Sequence, residues 1–390
     1  MYKIQTLNAI SPIIDGVLRD NEYAVSAQET APDGILVRSA AMHDMELPQS
    51  LLAVARAGAG VNNIPVDKCA EKGIVVFNTP GANANAVAEL VVSGMLLASR
   101  DIEGGMAWVK TLKGQGDAVP KLVEKGKSRF VGPELRGKTL GVVGLGAIGV
   151  IVANIAADGL GMKVIGYDPW ISIDRAWSLS GKVQHAATMD DVLAQADYIT
   201  FHVPLNDNTR GSVNAEMMGK MKPGVRLLNF SRGELVDNAA LKDALADGKV
   251  AKYVTDFPCE ELIDAPGVVC IPHLGASTPE SEDNCAVMAA FQLKAYLEYG
   301  SIENSVNMPQ VTLLPTDAAR LLVIHQNIPN MLSGLTAVVS AEGINIDNLV
   351  NKSRKDYAVT VMDLPSLPNE AAIEKLKAIP GVVRARTFGK

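Results

Sequence analysis

Three side chains in the second half of the chain have the chemistry needed to move a proton off a carboxylate-bearing alcohol. Arg232 follows Leu227-Leu228-Asn229-Phe230-Ser231, Glu261 follows a run ending at Asp256, and His273 follows Val269-Cys270-Ile271-Pro272. Taking a hydroxyl proton requires a base whose pKa lies close to working pH, and histidine meets that requirement. A carboxylate against the far ring nitrogen would hold the tautomer and stabilise the imidazolium. A guanidinium can grip a substrate carboxylate with two parallel N–H donors and polarise a neighbouring carbonyl. Singly, a histidine after a strand is more often a surface or core residue, and Arg232 before Gly233 could be helix-flanking surface. Their shared position after successive β-runs makes them a candidate constellation, because ligands on open α/β sheets sit beyond the carboxyl ends of strands.

A cofactor site precedes them. Gly144-Leu145-Gly146-Ala147-Ile148-Gly149 is a G-x-G-x-x-G that follows the apolar run Leu140-Gly141-Val142-Val143 and opens a helical pattern. Its glycines allow a tight turn, and amides at the helix N-terminus can then face a pyrophosphate. A chain with 34 glycines can produce this hexapeptide by chance, so context decides. Asp168 ends the next β-run, 19 residues past Gly149, where a carboxylate accepts ribose hydroxyls and repels a 2′-phosphate. Asp168 before Pro169 could also be plain turn chemistry. The expected cofactor is NAD rather than NADP. Ala147, Ile148, Val203, Phe230, Ser231, Arg232, Asp256, His273, Gly275 and Ala276, on the glycine turn or near later strand ends, complete the expected contact set.

To bring these groups to one edge, the chain from Thr139 onward must alternate strand and helix. Apolar runs at 140–145, 163–168, 198–203, 225–231, 251–256 and 268–272 predict a Rossmann-type parallel sheet covered on both faces. Upstream, Ile35-Leu36-Val37-Arg38 and Val75-Val76-Phe77-Asn78 read as buried strands and 65–72 as a short helix. Two long helices, near 83–99 and 279–299, would flank the cofactor domain, while part of 104–137 reads as a surface segment. The end of the chain predicts strand 320–326, helix 329–342, strands 344–350 and 357–364, helix 369–378 and strand 382–388. That order is ferredoxin-like.

Bulk properties narrow the class. At 390 residues the chain exceeds one ordinary core, and its net charge of −7 disfavours nucleic acid and anionic membranes as partners. No apolar stretch approaches membrane-spanning length, and the first residues, Met1-Tyr2-Lys3-Ile4-Gln5-Thr6, lead into a strand pattern rather than a signal peptide. Cys69, Cys259, Cys270 and Cys285 form no C-x-x-C, and the five histidines show no metal-ligand spacing. The expectation is a cytoplasmic chain with reduced thiols and no metal, acting on a small molecule.

Asn229-Phe230-Ser231-Arg232-Gly233-Glu234-Leu235-Val236-Asp237 and Pro272-His273-Leu274-Gly275-Ala276-Ser277-Thr278 resemble signatures of the D-isomer-specific 2-hydroxyacid dehydrogenases. Asp256 with Glu261 is similar to that family's intervening acidic segment. The resemblance implies Arg232 as substrate clamp, His273 as acid/base and Glu261 as its partner, with Glu260 as the adjacent alternative. It also implies a flavodoxin-like substrate domain from 1–85 and 282–307 around a cofactor domain at 86–281.

Within the substrate domain, Arg56-Ala57-Gly58-Ala59-Gly60-Val61-Asn62-Asn63 is a glycine-rich turn after a strand. Gly58, Ala59 and Gly60 could offer a nest of amides to a carboxylate, and Arg38 and Arg56 could reach a second anionic group. Lys127 or Arg129 could join them, although ordinary surface charge explains Lys127 as well. Asn62 stands where the family usually has Asp. The unit 318–390 resembles an ACT domain, a small-ligand regulatory module of amino-acid metabolism. With this core, the resemblance implies oxidation of 3-phosphoglycerate to 3-phosphohydroxypyruvate and serine as effector at His325, Asn327 and Asn345. Asn330 replaces the family's glycine after Pro329, and asparagine tolerates the left-handed backbone that turn needs. The alternatives are a dehydrogenase of unphosphorylated acids such as glyoxylate or a branched-chain hydroxy acid, a non-catalytic NAD(H)-sensing protein, and an ACT-like unit that only dimerises. A homodimer or homotetramer is the expected assembly.

Overall fold

The structure is a computed structural model that describes residues 1–19 and 21–389. It divides into two compact units, Met1–Ala82 with Glu282–Lys390, and Asn83–Ser281.

In the first unit, strands β1 (Tyr2–Leu7), β2 (Tyr23–Ser26), β3 (Gly34–Val37), β4 (Ala53–Arg56) and β5 (Val75–Phe77) form a parallel sheet in the order β2-β1-β3-β4-β5. This is the flavodoxin-like order expected. The helix Pro279–Tyr299 buries Ala286, Ala289, Ala290, Leu293 and Leu297 in the same core as Leu36, Ala55 and Phe77. It lies so close to β3 that a Cβ on Gly34 would come within 2.9 Å of Leu293.

The second unit holds β6 (Thr139–Val143), β7 (Lys163–Tyr167), β8 (Val183–His185), β9 (Tyr198–Phe201), β10 (Val225–Asn229), β11 (Val250–Thr255) and β12 (Val268–Cys270). Their order is β12-β11-β10-β9-β6-β7-β8, all parallel, so the direction of winding reverses between β6 and β9. The apolar helix Ala84–Ser99 packs Val87, Val91 and Met95 with Leu228, Phe230 and Val254. Helices Ile102–Lys110 and Val119–Gly126 account for much of the segment read as surface, and neither buries a residue. Strand β8 was not expected: only three residues long at the sheet edge, it carries the polar pair Gln184 and His185 in place of an apolar run.

The C-terminal part of the first unit contains β13 (Ala319–Gln326), β14 (Asn348–Arg354), β15 (Tyr357–Leu364) and β16 (Val382–Phe388), antiparallel in the order β14-β15-β13-β16. This is the ferredoxin-like arrangement, with one boundary corrected. The second strand spans Asn348–Arg354 rather than 344–350, because its register against β15 pairs Asn348 with Asp363 and leaves Asn345 in the preceding loop. Asn330 has φ 66° just before the helix Met331–Ala341, as the sequence predicted.

One sheet face lies under its two helices through Leu321, Val323, Leu335, Met362 and Leu376. The other face joins Leu322, Ile324, Val359, Val361 and Phe388 to the core that holds Phe77, Leu293 and Tyr296. Arg384 donates to Leu51 O and Lys72 O at 2.8 and 3.0 Å. Arg386 donates to Tyr296 O and Leu297 O at 3.1 and 3.0 Å. The C-terminal ferredoxin-like segment and the flavodoxin-like sheet thus share one core. Among the described residues, no helix is long and apolar enough to cross a membrane.

Candidate active site

The glycine turn has the shape a dinucleotide needs. Gly144 ends β6 with φ 92°, and a Cβ there would lie 2.6 Å from His202 O. A Cβ on Gly149 would lie 1.9 Å from Gly144 O, so the helix Ala147–Asn154 can start this tightly only on glycine. By contrast, a Cβ on Gly146, the residue before that helix, would meet nothing within 4 Å. That open space before a helix N-terminus suits a pyrophosphate. Asp168 Oδ2 accepts from Leu145 N and Oδ1 from Trp170 N, both at 2.9 Å. Each oxygen keeps a lone pair for a ribose hydroxyl. These residues fit NAD.

Three strands away, β10 and β11 position the charged groups. Asn229 at the end of β10 donates to Arg232 O at 2.8 Å and to Tyr253 Oη at 3.2 Å, while its Oδ1 accepts from Ser231 N at 3.2 Å. Thr255 Oγ1 donates to Asn229 O at 2.9 Å and accepts from Phe257 N at 3.1 Å. Ser231 Oγ donates to Phe201 O at 2.6 Å, joining this turn to β9. The network leaves Arg232 in extended backbone, with an exposed side chain whose Nη1 donates to Ser231 O at 2.6 Å.

His273 is exposed, and its ring stands 4.6 Å from the Phe257 ring at 50°. Beneath it Asp256 is 1% exposed; Gly275 N donates to its Oδ2 at 3.3 Å, and its Oδ1 has no partner. Burial pushes the Asp256 carboxyl above the ordinary carboxylate range, while His273, the Gly275 amide and Arg232 pull it back. Asp256 thus interacts electrostatically with both His273 and Arg232.

Glu261 is placed differently. Its Oε2 accepts from Asn238 Nδ2 at 3.4 Å, and among the described residues no hydrogen bond or ion pair joins it to His273. Asn238 begins a helix capped by Asp237, whose Oδ1 accepts from Ala239 N and Ala240 N at 3.0 and 3.1 Å. Glu260 is exposed in the same loop. Asn238 was missed because an asparagine behind a helix cap reads as capping chemistry. His202 was missed too, although it directly follows β9. Its Nε2 pairs with Thr200 Oγ1 at 3.0 Å, its Nδ1 is buried without a partner, and burial lowers its pKa to about 4.

Arg38 and Arg56 belong to the other unit. Arg38 forms a 2.6 Å ion pair with Glu282. Arg56 Nε donates to Arg38 O at 3.1 Å, and a Cβ on Gly58 would lie 2.2 Å from Arg56 Nη1. The Gly58 amide is engaged by Arg56 O at 2.9 Å, so the expected amide nest is reduced to Ala59 and Gly60. Asn78 donates to Ala59 O at 2.6 Å, and Thr79 N donates to Gly58 O at 3.1 Å, fixing that turn. Lys127 pairs with Glu124, and Arg129 stacks on Trp108 at 4.9 Å.

The proposed effector residues are not gathered around one cavity. His325 is 2% exposed, with Nδ1 paired to Gln326 O and Nε2 to Thr360 Oγ1, both at 2.8 Å. Asn327 donates to Lys355 O at 3.1 Å. Asn345 lines a groove with Ser333, Thr336 and Ser340 that neither His325 nor Asn327 reaches.

The profile of the D-isomer specific 2-hydroxyacid dehydrogenase NAD binding domain matches residues 92–275. D-3-phosphoglycerate dehydrogenase of Escherichia coli K12 is 33% identical over 393 residues, spanning 95% of this chain and 90% of that protein. This chain belongs to the D-isomer-specific 2-hydroxyacid dehydrogenases. The dehydrogenase is also similar to D-3-phosphoglycerate dehydrogenase of Mycobacterium tuberculosis, at 38% identity over 76% of this chain and 54% of that one. Among solved structures, NAD+-bound 3-phosphoglycerate dehydrogenase of Entamoeba histolytica aligns at TM-score 0.60 and 25% identity, covering 78% of this chain and 98% of that one. Family and fold together make the chain an NAD-dependent oxidoreductase.

Proposed function

We propose that the enzyme oxidises 3-phosphoglycerate to 3-phosphohydroxypyruvate, the entry reaction of serine synthesis. The observation that carries the chemistry is the convergence of Arg232, Asp256 and His273 beyond β10 to β12 of a dinucleotide-binding sheet. Likeness to D-3-phosphoglycerate dehydrogenases over nearly the whole chain supports the substrate.

When bound, NAD supplies the acceptor for the hydride from C2. The protein supplies the rest. Arg232, held extended by Asn229, grips the substrate carboxylate and orients C2. His273 takes the C2 hydroxyl proton onto a ring nitrogen, and the carboxylate of Asp256 stabilises the resulting imidazolium. Glu261 accepts from Asn238 through Oε2, which leaves Oε1 for a second donor. Arg38 and Arg56 are assigned to the phosphate, and Ala59 and Gly60 to the carboxylate.

His273→Asn tests the assignment. It should bind NADH as the parent does, by quenching of protein fluorescence, and lose about 10³-fold or more in kcat. An H273N enzyme with near-parental kcat would remove His273 from the mechanism.

One observation favours the second reading, an unphosphorylated hydroxy acid: Arg38 is already neutralised by Glu282. Serine as effector would need the His325 ring to release Gln326 or Thr360. Inhibition assays with millimolar serine test that role, and loss of any inhibition in Asn345→Ala would locate it. A cytoplasmic homo-oligomer completes the reading; exposed Met106 and Val109 on helix Ile102–Lys110, and Val131 beyond it, are apolar surface that a second copy would cover.

A further inference from the structure

Helix Pro279–Tyr299 has a second stripe, turned away from the alanine and leucine face that covers the sheet. With the segment around Ser301–Asn304 it lines a cavity of about 430 Å³, a size that holds a small organic ligand. Gln292 lines this cavity and is 7% exposed, yet neither its Oε1 nor its Nε2 has a hydrogen-bond partner. Buried amides are nearly always paired, and one left unmade forfeits the desolvation cost of each unsatisfied group. The dehydrogenase reaction gives Gln292 no task.

The rest of the lining defines what could pair with it. Val287, Met288, Phe291 and Tyr299 supply an apolar and aromatic wall, and Glu303 is the one charged residue on it. Among the described residues no lysine or arginine lines the cavity, so a phosphate or carboxylate would meet only a repelling charge. The lining disfavours an anion, offers an aromatic ring for stacking, and leaves an amide that pairs with a donor beside an acceptor. A primary amide pairs in two-point fashion with such an edge, as glutamine does with adenine. Stacking on an aromatic side chain adds affinity for any base, because every base has a π-face.

We propose that this cavity binds an uncharged planar heterocycle of the nucleobase class, recognised by the Gln292 amide and stacked on Phe291. The amide is shut off from solvent as the side chains stand. The Phe291 ring is 57% exposed and so is available for stacking.

Calorimetric titration of full-length enzyme saturated with NADH, which occupies the Rossmann adenosine site, tests this with adenosine, uridine and AMP. One nucleoside should bind one-to-one, with AMP at least about ten-fold weaker than adenosine. Gln292→Leu should weaken binding about ten-fold or more while keeping Tm, since it removes an unsatisfied amide. Phe291→Ala, at an exposed position, should weaken binding several-fold without unfolding the protein. The proposal fails if neither nucleoside binds, or if Gln292→Leu binds like the parent. It fails equally if a crystal structure shows Gln292 satisfied by ordered water alone or covered by a second copy of the chain.

Discussion

The backbone amide of Gly275 donates to Asp256 Oδ2 over 3.3 Å, tying the loop that carries His273 to a carboxylate that water does not reach. Burial raises the folded-state pKa of this carboxyl, so its contribution to stability is present at low pH and lost as pH rises through the raised value. Burial disfavours the charged form of this carboxyl, and the group is retained for its effect on His273 and Arg232. Asp256→Asn should therefore keep or raise stability at pH 7 while lowering kcat/KM about ten-fold. The acid limb of the kcat/KM profile should move to lower pH, because no anion then favours the imidazolium. A variant that loses stability with an unmoved acid limb would make Asp256 a structural residue only.

The Arg38–Glu282 ion pair sets a second test. Both side chains are partly exposed, so Glu282→Gln should change stability by no more than about 1 kcal/mol. If Arg38 binds phosphate, releasing it from Glu282 should lower KM for the phosphorylated substrate about two- to five-fold and leave KM for glyoxylate unchanged. An equal change for both substrates, or none, would take Arg38 out of phosphate recognition.

His202 predicts acid sensitivity. Burial lowers its pKa from 6.5 to about 4, so the folded protein keeps the ring neutral where the unfolded chain takes up a proton. Stability should fall as pH drops from about 6.5 toward about 4, by about 2 kcal/mol between pH 7 and pH 5 from this group alone. Urea titrations at the two pH values measure the loss, and His202→Gln should flatten the slope by that amount. An unchanged slope would mean that His202 titrates normally.

The shared core of the first unit makes a prediction about truncation. Removing residues 318–390 would expose the surface that packs on Leu322, Ile324, Val359 and Phe388, together with the carbonyls that Arg384 and Arg386 satisfy. The shortened chain should unfold or aggregate rather than retain a folded, unregulated substrate domain. Arg386→Ala alone should cost about 1–3 kcal/mol, read from the urea midpoint. A stable, active truncated enzyme would show that the ACT-like segment is only appended.

Much of this was legible in the residues. Apolar runs near 140, 163, 198, 225, 251 and 268 are the sheet itself, and the G-x-G-x-x-G context marked its switch point. Arg232 and His273 could be read because each follows a strand, and strand ends are where such sheets bind. Side-chain partnership was not legible. Glu261 sits with Asn238, and Asp256 faces His273, because loop conformation rather than spacing decides which carboxylate comes near. The His325 ring could not be foreseen as closed, since its partners Gln326 and Thr360 come together only through pairing of β13 with β15. The merger of the ACT-like sheet with the substrate sheet was hidden for the same reason: an apolar strand does not say which neighbour its second face will meet.

The central claim is tested most directly by comparing kcat/KM for NADH-dependent reduction of 3-phosphohydroxypyruvate with that for glyoxylate and a branched-chain 2-keto acid. Preference for phosphohydroxypyruvate by about 10²-fold or more, falling toward parity in Arg56→Ala, is the expected result. Equal or greater efficiency on the unphosphorylated acids, with no effect of Arg56→Ala on the ratio, would contradict it.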